Sequence, residues 1–166
     1  MTTESVLQGK LILVVDDEPD VVESVEEVLA MCTVHKAGDY RSGYQRLLSY
    51  TYDAVILDIM GVRGFDLLRT AVKRGFPTVM LTAHALTPEA LKKSMKLGAV
   101  SFLPKEKISE LIDVVSVATR GGTRPSWIRF FDAFGGFFNR RFGVDWKERD
   151  LYFQEFEESV RNPKGT

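Results

Sequence analysis

The chain of 166 residues holds a single cysteine, Cys32, and two histidines, His35 and His84. One thiol excludes an internal disulfide and any cysteine-cluster metal site, and it suits a reducing, cytoplasmic setting. Long apolar runs are missing as well. The longest aliphatic stretch, Leu11 to Val15, falls far short of a membrane span, and the opening MTTESVLQGK carries no apolar signal region. The formal charge is −1, so no global field draws the chain toward nucleic acid or anionic lipid. Neither a Ser/His dyad nor a glycine-rich phosphate loop is present. What remains is ordinary globular usage, with 45% hydrophobic and 27% charged residues, which supports a sizeable core and argues against disorder.

Aromatic residues are unevenly spread. Of eleven Phe, five Tyr and two Trp, only Tyr40, Tyr44, Tyr50, Tyr52, Phe65, Phe76 and Phe102 precede Gly121; the rest crowd the last quarter of the chain. The composition therefore divides the chain into a body over residues 1–120, a hinge over 121–126 and an aromatic-rich helical extension over 127–166.

Through the body, short apolar runs alternate with amphipathic stretches, the rhythm of βα repeats. Strands are expected at Leu11 to Val15, Thr33 to Ala37, Ala54 to Leu57, Thr78 to Leu81 and Val100 to Leu103. Their near-continuous apolar character implies a parallel sheet covered on both faces. The first helix opens at Pro19 and carries Val21, Val25, Val28 and Leu29 on one stripe. The second runs from Asp39 to Tyr50 with Tyr44, Leu47 and Leu48 inward, and the third from Phe65 to Lys73. A fourth starts at Thr87-Pro88-Glu89 and stops at Gly98; a fifth spans Ile108 to Thr119 with Leu111, Ile112, Val115 and Ala118 inward. The fold class expected is α/β: a doubly wound, five-stranded parallel sheet with a C-terminal helical extension.

In such sheets ligands bind beyond the carboxyl ends of the strands, where strand order reverses. The strand exits carry Asp16 and Asp17, Asp58, Thr82, and Lys105 after Pro104. Taken singly, each has an ordinary reading as a helix-start acid, a turn residue or a solvated charge. Taken together they are the parts of a site. Three converging carboxylates repel one another and invite a hard divalent cation, and oxygen-only ligands suit Mg²⁺. A lysine and a hydroxyl opposite that ion could hold a tetrahedral anion, with a carboxylate as nucleophile forming an acyl phosphate.

Asp58 lies 41 positions beyond Asp17, Thr82 24 beyond Asp58, and Lys105 23 beyond Thr82. With the Asp16-Asp17 pair, this spacing resembles a response-regulator receiver domain over about Lys10 to Thr119. The resemblance implies a flavodoxin-like sheet of order 2-1-3-4-5, and it implies that Asp58 is the phosphoacceptor, loaded by a sensor histidine kinase or phosphotransfer protein. It implies that Asp17 ligates Mg²⁺ directly and Asp16 mainly through water, with Asp58 and the backbone carbonyl of Met60 completing the protein ligands. Lys105 would pair with one phosphoryl oxygen and the Thr82 hydroxyl would move to another. Phe102 matches the aromatic switch position, which reports to the surface of the fourth helix, fifth strand and fifth helix. Met60 and His84 occupy the positions that flank the phosphoryl group and tune its hydrolysis, and a bulky Met60 would obstruct the attacking water. The loop Asp58-Ile59-Met60-Gly61-Val62-Arg63-Gly64 is shorter than is common in that family.

The extension reads WIRFFDAFGGFFNRRFG after Ser126. On a helix, Trp127, Phe130, Phe131, Phe134 and Phe138 form a stripe suited to a partner, whereas Gly135-Gly136 should bend or break that helix. From Val144 onward, Trp146, Leu151, Tyr152, Phe156 and Val160 suggest a second amphipathic helix. Such a surface does not sit bare in water. It folds back on the body, meets a protein target or a second copy as a homodimer, or lies on a membrane; the membrane option is weakened by scarce lysine and an acidic second half. Nucleic acid is not expected, because four arginines among so many aromatics do not track phosphates. The expected function is a response regulator, a phosphoacceptor and not an enzyme acting on other substrates. The alternatives are a Mg²⁺-dependent aspartyl-phosphate phosphatase, which typically has Asp-x-Asp after its first strand, and a non-catalytic scaffold.

Overall fold

A computed structural model describes residues 2–120 and 122–161. A short helix α1 (Thr3–Leu7) precedes β1 (Leu11–Val15), α2 (Pro19–Val28), β2 (Thr33–Ala37), α3 (Tyr40–Ser49), β3 (Ala54–Asp58), α4 (Gly64–Lys73) and β4 (Thr78–Thr82). Then follow α5 (Pro88–Lys96), β5 (Ser101–Pro104), a 3₁₀ turn (Lys105–Glu110), α6 (Leu111–Arg120), α7 (Thr123–Phe142) and α8 (Leu151–Arg161). All strand pairs are parallel, in the order β2-β1-β3-β4-β5. Strands β3 and β4 are buried along their whole length, as their apolar runs require. The edge strand β2 is only half-buried, which is why Thr33 and Lys36 are tolerated there.

Local chemistry starts and stops the helices. Asp39 and Thr87 accept hydrogen bonds from the Ser42 and Ala90 backbone N–H groups, capping α3 and α5, and Pro19 and Pro88 open α2 and α5. Beyond α5, Gly98 adopts φ +99°, the left-handed turn that a glycine makes at low cost.

The inward face of α3 differs from expectation. Tyr44 and Leu48 are exposed; Leu47 is buried as expected, and Gly43 is buried beside it. A Cβ at Gly43 would come within 3.0 Å of Val15, so the bare backbone brings α3 close to the sheet and turns its bulky neighbours outward. Tyr44 stacks on Tyr40 on that outer surface. Likewise Ile112 on α6 is only partly buried, whereas Leu111, Val115 and Ala118 face the core as expected.

The extension shows the largest differences. Gly121, at the start of the expected hinge, and residues 162–166 lie outside the described residues, and Thr123 to Ser126 already belong to α7. The helix runs unbroken through Gly135-Gly136. Each glycine costs about 1 kcal/mol relative to alanine in a helix, but buried Phe130, Phe134 and Phe138 anchor both halves to the body. Burying a phenylalanine contributes roughly 1.5–3 kcal/mol, which outweighs the glycine penalty.

The aromatic stripe expected to meet a partner is largely enclosed within the chain. Trp127, Phe130, Phe134 and Phe138 are buried, and Phe131 is half-buried between Trp146 and Phe156. Trp127 donates its indole N–H to the Ala99 carbonyl at 2.7 Å, and Phe138 packs against Phe102 of β5. In α8, Leu151 is exposed, and Phe153 is buried beside Trp146, which sits in the preceding turn. Lys92 on α5 reaches Asp150 at 2.6 Å and ties this end of the extension to the body. Among the described residues, no helix is long and apolar enough to cross a membrane.

Candidate functional site

Sheet register builds the site. Val15 pairs with Leu57, Asp58 with Leu81 and Thr82 with Pro104. Asp16 and Asp58 therefore leave adjacent strands at the same level, and Thr82 and Lys105 leave the next two. The crevice opens between β1 and β3, where the order 2-1-3 reverses.

Lys105 is the hub, with only 10% of its side chain exposed. Its Nζ lies 2.7 Å from Glu18 Oε1, 3.0 Å from Asp16 Oδ2 and 3.4 Å from Asp58 Oδ1. Burial works against the ammonium's charge, but Glu18, Asp16 and Asp58 override it and hold Lys105 above the usual lysine range. Burial, reinforced by the charge of Asp16 and opposed by Lys105, pushes the Asp58 carboxyl up to about 6. Asp16 is raised by burial too, with the Glu18 backbone N–H and Lys105 pulling the other way. Glu18 moves oppositely, because its bond to Lys105 favours the carboxylate.

Asp16 Oδ1 accepts the Glu18 backbone N–H at 2.9 Å. Its Oδ2 is buried and, although near Lys105, makes no hydrogen bond of good geometry. Asp17 is exposed, and Gly61 lies directly over it: a Cβ at Gly61 would fall 2.5 Å from Asp17 Oδ2. The backbone there has φ +85°. The loop closes at Gly64, where a Cβ would collide with the Asp58 carbonyl, and Arg63 is left-handed. Glycine at both positions allows the short loop to fold back over the acidic pair.

Asp16, Asp17 and Glu18 present carboxylate oxygens within 4.8 Å of one another. An under-bonded buried oxygen, an exposed carboxylate beside it and a glycine-lined approach fit a small hard cation. Glu18, not among the acids singled out in the sequence, stands beside the two aspartates, but its carboxylate is bonded to Lys105 at 2.7 Å and leaves the cation to Asp16 and Asp17. Its signal was the triplet Asp16-Asp17-Glu18, but a glutamate before Pro19 reads first as a solvated helix-start residue.

The remaining site residues are distributed as follows. Thr82 is buried and its Oγ1 accepts the Ala85 backbone N–H at 3.0 Å, so the hydroxyl is turned toward the β4–α5 loop. Met60 and His84 are exposed on the loops after β3 and β4. Phe102 is fully buried, on β5, against Phe138 of the extension. His35 stands apart, with Nδ1 2.9 Å from the Tyr52 hydroxyl in an aromatic cluster, a structural placement.

The profile of the response regulator receiver domain matches residues 12–116. Among curated proteins, the chain is 35% identical over 118 residues to the probable transcriptional regulatory protein SilR of Salmonella typhimurium, covering 67% of this chain and 51% of that protein. It is 34% identical to the transcriptional regulatory protein CusR of Escherichia coli K12, covering 67% and 52%. The chain thus spans about half the length of these relatives. Among solved structures, the receiver domain of the Francisella response regulator 1452 superposes with a TM-score of 0.61 at 23% identity, covering 68% of this chain and 98% of that one. A response regulator from Thermotoga maritima superposes with a TM-score of 0.62 at 19% identity, covering 68% and 99%.

Proposed function

The chain belongs to the response regulator receiver domain family, and on that premise we propose that it accepts a phosphoryl group on Asp58 in a Mg²⁺-dependent reaction and signals through protein contacts. The observation that carries this reading is the placement of the buried Asp58 carboxylate 3.4 Å from Lys105 Nζ, at the exit next to Asp16.

Asp58 supplies the nucleophilic oxygen. It attacks the phosphorus of a phosphohistidine on a sensor kinase or phosphotransfer protein. The P–N bond breaks with its electron pair passing to the imidazole, leaving an acyl phosphate on Asp58. Lys105 neutralises charge on the phosphoryl oxygens from one side. Thr82 exchanges its bond from Ala85 for donation to a phosphoryl oxygen. Asp16, Asp17, Asp58 and the Met60 carbonyl are the groups to hold Mg²⁺, which when bound supplies positive charge against the phosphoryl oxygens.

The output follows from the packing of the extension. Phe102, three residues before Lys105, touches Phe138, so a shift of the β5 exit on phosphorylation reaches α7 through one ring contact. The body of residues 1–120 acts as the receiver and the extension as the reporter. Protein contact is favoured over nucleic acid because the extension's aromatics are used in packing and its charge is mixed. A cytoplasmic location accords with loading by a kinase.

The test is stoichiometry: with Mg²⁺ and acetyl phosphate, the protein takes up one phosphoryl group per chain and leaves unrelated phosphoesters untouched. Sustained turnover of such esters would indicate the phosphatase instead.

A further inference from the structure

We infer that Glu18 is a positioning residue for phosphoryl acceptance: it holds the Lys105 ammonium in a waiting position and gives it up when Asp58 is modified. The inference rests on Asp58 as the phosphoacceptor. Of the three carboxylates around Nζ, Glu18 makes the shortest contact, at 2.7 Å, and Asp58 the longest, at 3.4 Å. Charge-assisted N–H···O bonds are about 2.7–2.9 Å long, so the ammonium is bonded to Glu18 and only near Asp58.

The local structure separates what Glu18 does with its backbone from what it does with its side chain. Its N–H bonds Asp16 Oδ1 and fixes the acidic turn. Its side chain stands at the N-cap of α2 but makes no capping bond there. Instead it crosses to Lys105, 87 positions away in the chain. Its exposure also differs from that of its rivals: the Glu18 side chain is 49% exposed, against 0% for Asp16 and 7% for Asp58. A released Glu18 carboxylate is hydrated at once, whereas a released Asp16 is not. Glu18 is thus the exchangeable partner of the three.

The exchange accompanies the chemistry without proton transfer. When an acyl phosphate is the donor, an Asp58 oxygen bonds to phosphorus, the P–O bond to the donor's carboxylate breaks, and that carboxylate leaves with the electron pair. Lys105 stays protonated and trades the Glu18 carboxylate for a phosphoryl oxygen. The added phosphoryl charge, buried beside Nζ, outcompetes a half-exposed carboxylate.

The test uses the full chain with Glu18→Gln and Glu18→Asp. At saturating Mg²⁺, Glu18→Gln is expected to accelerate phosphorylation by acetyl phosphate about three- to tenfold, since Lys105 is freed and one negative charge near the incoming anion is gone. Glu18→Asp keeps the charge but is too short to hold Nζ, and part of the acceleration persists. In the metal-free, unmodified protein, the Lys105 ammonium signal in a ¹H–¹⁵N spectrum should shift in both variants. Beryllofluoride should produce a comparable release in the unsubstituted chain. An unchanged ammonium signal with an unchanged rate overturns the inference. So does a tenfold loss of Mg²⁺ affinity in Glu18→Gln, which would make Glu18 a metal ligand. If Asp58→Ala still takes up the phosphoryl group, the reading of Asp58 fails. The ammonium signal would still decide whether Glu18 holds Lys105.

Discussion

The ring of Phe138 on α7 lies 6.1 Å from the ring of Phe102 on β5, and this contact joins the extension to the strand that presents Lys105. Phe138 is fully buried and also meets Phe130, Phe142 and Trp146. Phe138→Ala should therefore cost about 3–5 kcal/mol in denaturant unfolding. Hydrogen exchange should show α7 and α8 losing protection before the sheet does. Equal loss of protection throughout would mean that the extension is not a separable reporter.

Ionisation of Asp58 should weaken the metal-free fold. Its carboxyl is pushed up to about 6, against an ordinary value of 3.8, so the folded state binds the proton more tightly than the unfolded one. The stabilisation is complete below the ordinary value and is lost as pH rises to about 6, by at most about 3 kcal/mol. Asp58→Asn removes this dependence, and the variant's gain in stability over the unsubstituted chain should grow as pH rises from 4 to 7. A gain that is flat with pH would count against the raised carboxyl. Mg²⁺ should raise the melting temperature of the unsubstituted chain at pH 7.

Gly61 is a steric requirement of the acidic pocket. Its φ of +85° and the 2.5 Å approach of a Cβ to Asp17 mean that Gly61→Ala both strains the turn and displaces the carboxylate. Strain of this kind costs on the order of 1–3 kcal/mol. The melting-temperature rise on adding Mg²⁺ should shrink in the variant. An undiminished rise would show that Asp17 is not needed for the ion.

Met60 is proposed to tune the lifetime of the phosphoryl group. Its bulky apolar side chain is 53% exposed on the loop that follows Asp58. Met60→Asn should speed phosphate loss severalfold, followed by intact mass after the donor is removed. An unchanged lifetime would show that Met60 does not obstruct the attacking water.

Much of this site was legible because it lies at strand ends. Strands β1 and β2 have the limits expected, and β3 and β4 each run one residue longer because Asp58 and Thr82 continue the ladder. What escaped depends on tertiary context. Glu18 carries no local mark of its distant partner Lys105. Gly135-Gly136 looks like a break until the buried rings on either side are placed. Tyr44 and Leu48 look like core residues until Gly43 brings α3 against Val15. The aromatic stripe on α7 is apolar, but hydrophobicity alone does not say whether the surface it covers belongs to another chain or to this one.

The most direct measurement is intact and peptide mass of the full chain after incubation with Mg²⁺ and acetyl phosphate, alongside Asp58→Ala. One added phosphoryl group, mapped to Asp58, dependent on Mg²⁺ and absent from the variant, is the expected result. A phosphoryl group that persists in Asp58→Ala, or maps elsewhere, would contradict phosphoryl acceptance at Asp58.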